Sequence, residues 1–177
     1  MALDRNAGRR GPGRRDMVWL AALCAGLVMA DSPGAQGGGA TLVLQEAGAT
    51  LHLELDTDRL GGLPQTEYRT STVWTDSVSL YTGVLLRDLL IAAGIDPGTG
   101  PGRVVIQALD GYSASIGFEE ITTVAPMVAY LRNGAEMPLR AQGPFWLLFP
   151  FDDDPAFQNE TTYARSVWQI SHLRVER

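Results

Sequence analysis

The chain is poor in cysteine, lysine and histidine, and each shortage excludes a class of function. One of its 177 residues is a cysteine, Cys24, so neither an intrachain disulfide nor a multi-cysteine metal site can form. All 14 basic residues are arginines, and 20 acidic residues give a net charge of −6. Because nucleic-acid binding needs a basic face, no nucleic-acid partner is expected. The two histidines, His52 and His172, are far apart in the sequence and have no companion motif, so no zinc site is predicted.

Residues 1–35 are typical of an export signal. Five arginines precede an apolar stretch, residues 17–30 (MVWLAALCAGLVMA), and small loop-forming residues follow it. This stretch is shorter than the about 20 residues that a bilayer span needs, so we expect a cleaved signal peptide and no stable membrane span afterwards. Cleavage after Ala30 and cleavage after Ala35 both fit. The arginine pair at 14–15 fits a twin-arginine signal or an ordinary basic leader. Localisation in a bacterial periplasm is predicted.

Cleavage would leave residues 36–177 as one domain without a thiol, since Cys24 lies in the leader. This mature chain has nine arginines and 17 acidic residues, a net charge of −8. It contains no Cys-x-x-Cys-His motif, so no haem is expected. Its length fits a single domain.

Hydrophobic periodicity predicts an α+β fold, a mixed β-sheet domain with few helices. The clearest helix is predicted within residues 82–93, with Thr82 as its N-cap and Gly94 as its stop. A short helix is predicted at 118–123. Strands are predicted at residues 41–45, 50–55, 66–74, 103–109, 112–116, 145–151 and 167–175.

Alternation within and just after the strand at 66–74 predicts one shared face for four side chains: Thr70, Thr72, Trp74 and Asp76. Two hydroxyls, an indole and a carboxylate on one face could line a polar pocket. An exposed strand face, with Asp76 capping a turn, explains the same pattern equally well.

Six segments of the mature chain follow one another in a recognisable order. They are residues 82–90 (TGVLLRDLL), 92–95 (AAGI), 109–113 (LDGYS), 129–138 (AYLRNGAEMP), 143–150 (GPFWLLFP) and 166–168 (SVW). The series resembles the molybdopterin-binding domain of the sulfite-oxidase-like oxidoreductases and covers about residues 40–177. Segments 149–155 (FPFDDDP) and 163–168 (YARSVW) resemble a small exported branch of that family. The resemblance implies a mixed α+β fold and a polar pocket for a pterin that carries molybdenum.

The resemblance also implies one cysteine thiolate as the molybdenum ligand, just before the segment that leads to the helix. Here Thr70, Ser71 or Thr72 occupies about that place. A hydroxyl is a hard, weakly acidic group and a poor substitute for a soft thiolate. We therefore expect a molybdopterin-binding-like oxidoreductase domain without normal molybdenum catalysis, unless an altered metal site or a partner protein completes it. The alternative is a non-catalytic periplasmic ligand-binding or sensory module that kept the fold.

Arginines are the candidates for holding an anionic ligand or the pterin phosphate, because the guanidinium fork forms two parallel bonds with phosphate. Arg69, Arg140 and Arg165 are favoured by position, and the resemblance places Arg140 and Arg165 in matching segments. Surface ion pairs are the alternative interpretation. The resemblance places the turn formed by Asp110, Gly111 and Tyr112 near the cofactor, while a plain turn with a packed ring is the simpler interpretation.

Three consecutive acids, residues 152–154, precede Pro155. They could form a cation-binding loop. Asp154 and Pro155 also have the form of an N-cap followed by the first residue of a helix, and we favour this interpretation. No metal site is predicted.

Overall fold

Ten strands form two five-stranded sheets in residues 41–48 and 52–177, the part of the chain that the computed structural model describes. The strands are β1 (Leu42–Glu46), β2 (His52–Leu55), β3 (Thr66–Thr70), β4 (Ser79–Leu85), β5 (Arg103–Ala108), β6 (Ser113–Gly117), β7 (Met127–Arg132), β8 (Ala135–Glu136), β9 (Trp146–Leu148) and β10 (Ile170–Glu176). The predicted signal at residues 1–35 and Cys24 lie outside the described residues.

The first sheet has the order β2-β1-β10-β5-β6. The first two strands, β1 and β2, pair antiparallel. The last strand, β10, lies at the centre and pairs parallel with β1 and antiparallel with β5. Because β10 has a neighbouring strand on each side, it contributes to the core, and its Leu173 and Val175 are fully buried.

The second sheet has the order β3-β4-β7-β8, and β9 also pairs with β7. Strand β4 bulges between Thr82 and Gly83, where it approaches β7 closely. A Cβ at Gly83 would lie 2.2 Å from the carbonyl oxygen of Val128, so only glycine permits this approach.

The three α-helices of the described residues are short: α1 (Thr57–Gly61), α2 (Leu86–Ala92) and α3 (Glu160–Arg165). Single 3₁₀ turns occur at Pro97–Thr99, Phe118–Glu120, Leu139–Ala141 and Pro155–Phe157. This composition confirms the α+β prediction of mixed sheets with few helices. None of the helices in residues 41–48 and 52–177 combines the length and apolar character of a membrane span.

The predicted helix is present, but its predicted N-cap was wrong. Thr82 lies within β4, opposite Glu67 of β3 and Leu131 of β7, and α2 begins at Leu86. Strand pairing on both sides thus extends the sheet into the predicted first turn. The predicted stop is confirmed, since Gly94 follows α2 with a φ of +81°.

The strand predicted at 66–74 was too long, and the shared face of Thr70, Thr72, Trp74 and Asp76 was wrong. Strand β3 ends at Thr70. The Thr72 hydroxyl lies 3.0 Å from the Thr75 hydroxyl and accepts the backbone N–H of Trp74 at 3.2 Å. Local bonds of this kind compete with strand pairing and turn the chain.

Candidate functional site

A pocket of about 320 Å³ opens beside α3 and the turn between β5 and β6, and we call it the aromatic pocket. Its lining residues are Trp74, Ala108, Asp110, Tyr112, Tyr163, Ala164, Ser166, Val167 and Trp168. Four of these nine are aromatic, and one, Asp110, is charged. The volume lies at the lower end of the range for small-molecule sites, roughly 300–1,000 Å³.

Trp74 is the central ring of the pocket wall. It contacts Trp168 at 5.2 Å between ring centroids and Tyr163 at 5.9 Å, both edge to face. It also contacts the fully buried Trp146 at 5.9 Å. Such pairs contribute about 0.5–1.5 kcal/mol each beyond the area they bury. The wall is therefore held in place by the protein's own core.

Ser166 anchors the inner end of the pocket. The indole Nε1–H of Trp146 donates to the Ser166 hydroxyl at 3.0 Å and approaches the Ser166 carbonyl at 3.2 Å. The Ser166 hydroxyl in turn donates to the carbonyl of Leu147 at 2.8 Å. Ser166 is buried, so its hydroxyl serves the packing between α3 and β9.

Asp110 and Tyr112 form the rim. The chain turns at Gly111, whose φ is +90°, and the N–H of Tyr112 donates to Asp110 Oδ1 at 2.9 Å. The Tyr112 hydroxyl donates to the carbonyl of Ala164 at 2.8 Å, which links this turn to α3. Both side chains remain exposed to solvent. The rim thus presents a carboxylate beside an exposed ring.

A smaller polar cleft of about 240 Å³ lies next to the aromatic pocket and shares Tyr163 with it. Ser71 donates to the Asp152 carboxylate from both its backbone N–H, at 2.6 Å, and its hydroxyl, at 2.7 Å. The Thr70 hydroxyl donates to the Ser71 carbonyl at 2.9 Å and accepts the N–H of Asp152 at 3.1 Å. With Thr72 bonded to Thr75, all three hydroxyls near the expected thiolate position are engaged within the protein.

The predicted site residues divide between several places. Trp74, Asp110 and Tyr112 meet in the aromatic pocket, and Thr72 lines the polar cleft. Thr70 is buried beside that cleft, whereas Asp76 is exposed in the loop and lines neither cavity.

The arginines favoured for an anion lie elsewhere. Arg140 borders a separate shallow cleft with Pro138, Leu139 and Gln169. Arg165 directs its guanidinium to the carboxylate of Glu120. Arg69 is exposed on β3. The three arginines that were favoured by their sequence positions therefore do not meet at one site.

Six of the nine lining residues were not among the predicted site residues, and three of these six have aromatic or hydroxyl side chains: Tyr163, Ser166 and Trp168. All three lie in the segment YARSVW. This segment indicated the family, but nothing in its sequence indicated that it would line a pocket. An isolated bridge between Trp146 and Trp168 brings this segment to the wall. The N-cap prediction at Asp154 is confirmed, since its Oδ1 accepts the N–H of Ala156 at 2.8 Å. Within the described residues no cluster of His, Cys, Asp and Glu could hold a metal ion.

The strongest shift in acidity lies outside the aromatic pocket. Burial, and secondarily the Asp153 carboxylate, raise the pKa of Tyr68 well above its usual range. The Tyr68 hydroxyl donates to the carbonyl of Val124, so the neutral phenol is also hydrogen-bonded. Burial raises the pKa of Tyr130 too. Both tyrosines are therefore uncharged phenols at neutral pH.

The pocket residues do not fit a molybdenum-bearing pterin. The phosphate of such a group is held best by cationic donors, but the one charged side chain in the lining is a carboxylate. A soft metal needs a thiolate, and residues 41–48 and 52–177 contain no cysteine. The hydroxyls at the expected ligand position already bond to the protein.

Comparison with known proteins agrees with the fold. The family described as oxidoreductase molybdopterin binding domain matches residues 50–151, and no curated protein matches the chain. Among solved structures, the sulfane dehydrogenase SoxCD from Paracoccus pantotrophus matches with a TM-score of 0.53 and 15% sequence identity. That match covers 77% of this chain but 38% of the SoxCD chain, so it shows the shared fold alone. By its family match and its fold, the chain belongs to the oxidoreductase molybdopterin-binding domain family, with the sulfite-oxidase-like fold.

Proposed function

We propose that this chain is an exported binding module that kept the fold of its family, holds a small organic ligand in the aromatic pocket, and performs no molybdenum redox chemistry. The observation that carries the proposal is the character of the pocket lining. Four aromatic rings and one carboxylate surround it, whereas a pterin phosphate is held best by cations. The neighbouring polar cleft has hydroxyls, which are poor substitutes for a thiolate on a soft metal.

The rigidity of the pocket supports a binding role. Its wall is locked by ring contacts to Trp146, and its rim is tied to α3 by the Tyr112 hydroxyl. A pocket formed before its ligand arrives loses little conformational entropy on binding. These residues would enclose an apolar ligand and orient it, and they would leave it chemically unchanged.

The leader supports export. An arginine-rich segment followed by a 14-residue apolar stretch has the order of a secretory signal. The competing function is a molybdopterin-dependent oxidoreductase, which family membership favours. That function would need the thiolate and the phosphate donors to come from groups other than the lining residues described here.

A pocket-blocking variant tests the binding role. Three probes of equal shape and different charge are added to the purified chain and followed by ligand-observed NMR: choline, 3,3-dimethylbutan-1-ol and 3,3-dimethylbutanoate. Ala164→Trp would fill the pocket from its lining, and Ala156→Trp places the same ring on an exposed 3₁₀ turn that lines none of the cavities described above. We expect at least one probe to bind the unmodified chain and Ala156→Trp but not Ala164→Trp. Binding of no probe, or equal binding to both variants, would contradict the proposal.

A further inference from the structure

We infer that the ligand of the aromatic pocket is a small organic ammonium ion, a cationic nitrogen on an apolar body. This inference rests on the proposed function, because it names the class of ligand that the same pocket would take. Three properties of the lining support it: the arrangement of the rings, the sign of its charge, and the hydrogen bonds that two of its three hydroxyls already make.

Neighbouring rings of the lining meet at steep angles. Trp74 meets Trp168 at an interplanar angle of 74° and Tyr163 at 87°, so neighbouring walls are nearly perpendicular. The π-face of an aromatic ring carries negative potential and attracts an ammonium group, most strongly in the case of tryptophan. A cation among the four aromatic residues of the lining would be able to contact more than one ring at once, as ammonium groups do in aromatic cages.

The charge of the lining favours a cation and opposes an anion. Asp110 supplies the one charged group among the nine lining residues, and its carboxylate is at the rim. Arg165 lies next to lining residues in the sequence, but its guanidinium is paired with Glu120. Residues 36–177 have a net charge of −8, which raises the local concentration of cations around them.

Two of the three hydroxyls of the lining, those of Tyr112 and Ser166 but not that of Tyr163, already donate to the protein. Tyr112 donates to the Ala164 carbonyl, and Ser166 donates to the Leu147 carbonyl. Neither proton is available for an anionic oxygen of a ligand. An ammonium group whose charge is met by Asp110 and by ring faces needs neither of them.

The three probes of equal shape separate this inference from the proposed function. At low ionic strength we expect choline to bind with a dissociation constant at least about tenfold lower than that of the neutral alcohol, and the carboxylate to bind more weakly still. Equal or tighter binding of the alcohol or the carboxylate would overturn the ammonium assignment and leave the binding function standing. Failure of all three would overturn both.

A charge-neutralising variant locates the recognition. Asp110→Asn keeps the shape of the side chain and the acceptor for the Tyr112 N–H, so its fold is expected to persist. We expect it to weaken choline binding about tenfold and to leave the alcohol unaffected. Asp58→Asn, which removes the same charge from an exposed position on α1, is the control and should leave choline binding unchanged. Equal losses in the two variants would overturn the role of Asp110.

Discussion

The Asp152 carboxylate holds Ser71 by two hydrogen bonds, although the two residues are 81 positions apart in the sequence. Thr70 completes the link by accepting the backbone N–H of Asp152. These hydrogen bonds thus fasten the loop after β3, where the family resemblance led us to expect a thiolate, to the segment after β9.

Removal of this carboxylate should destabilise the fold. We expect Asp152→Ala to lower the free energy of unfolding by about 1–3 kcal/mol, because two bonds to a charged acceptor are lost. Urea denaturation measures the change. Asp76→Ala, which removes an exposed acid from the same loop, should change stability by less than about 0.5 kcal/mol. Similar losses in both variants would show that the two bonds contribute little.

The hydroxyl of Ser166 should stabilise the pocket wall. Ser166→Ala leaves a buried indole N–H with one long contact, to the Ser166 carbonyl, and leaves the Leu147 carbonyl without its donor. We expect a loss of about 1–3 kcal/mol and altered tryptophan fluorescence. Ser115→Ala, at an exposed position of β6, is the matched control and should be nearly neutral. An unperturbed Ser166→Ala protein would argue against a rigid wall.

Two buried tyrosines should respond oppositely to loss of their hydroxyls. The Tyr81 hydroxyl is buried and has no hydrogen-bond partner within the described residues, so Tyr81→Phe removes an uncompensated polar group. We expect it to be neutral or stabilising by up to about 1 kcal/mol. Tyr68→Phe loses the bond to Val124 and should cost about 1–2 kcal/mol. Thermal and urea unfolding compare them, and the reverse order would contradict this assignment.

Stability should fall at alkaline pH. The folded pKa of Tyr68 is raised above the usual value of 10.0, so above pH 10 the unfolded chain loses a proton that the folded chain retains. One such group lowers the free energy of unfolding by about 1.4 kcal/mol per pH unit until the folded pKa is reached. Tyr68→Phe should reduce the slope, and Tyr130, whose pKa is also raised, should account for part of the remainder. An unchanged slope would contradict the assignment to Tyr68.

Local pattern predicted the elements whose periodicity is strong, such as β1, β2, β5 and α2. It failed where tertiary pairing or side-chain bonds decide the outcome. Thr82 belongs to strand β4, and not to the helix, because β3 and β7 pair with β4 on either side. The Thr72 hydroxyl bonds to Thr75 and turns the chain where the alternating pattern had predicted a continued strand. The first effect depends on strands that are distant in the sequence, and the second is a local hydrogen bond that hydrophobic alternation does not take into account.

The site shows the same limit. Asp110 and Tyr112 were predicted because a turn signal lies within a segment that resembles the family. Trp74 was predicted for a wrong reason, because the strand face on which it was placed is absent. Tyr163 and Trp168 reach the pocket through contacts with Trp74 that join distant parts of the chain. Such contacts depend on how the two sheets and α3 assemble, which no local spacing encodes.

The most direct measurement is the molybdenum and pterin content of the protein. The chain is purified from bacteria that make molybdopterin, metal is quantified by mass spectrometry, and pterin is measured as its fluorescent oxidation product. The account predicts far less than one molybdenum and one pterin per folded chain. One tightly held molybdenum atom per chain, together with its pterin, would contradict it.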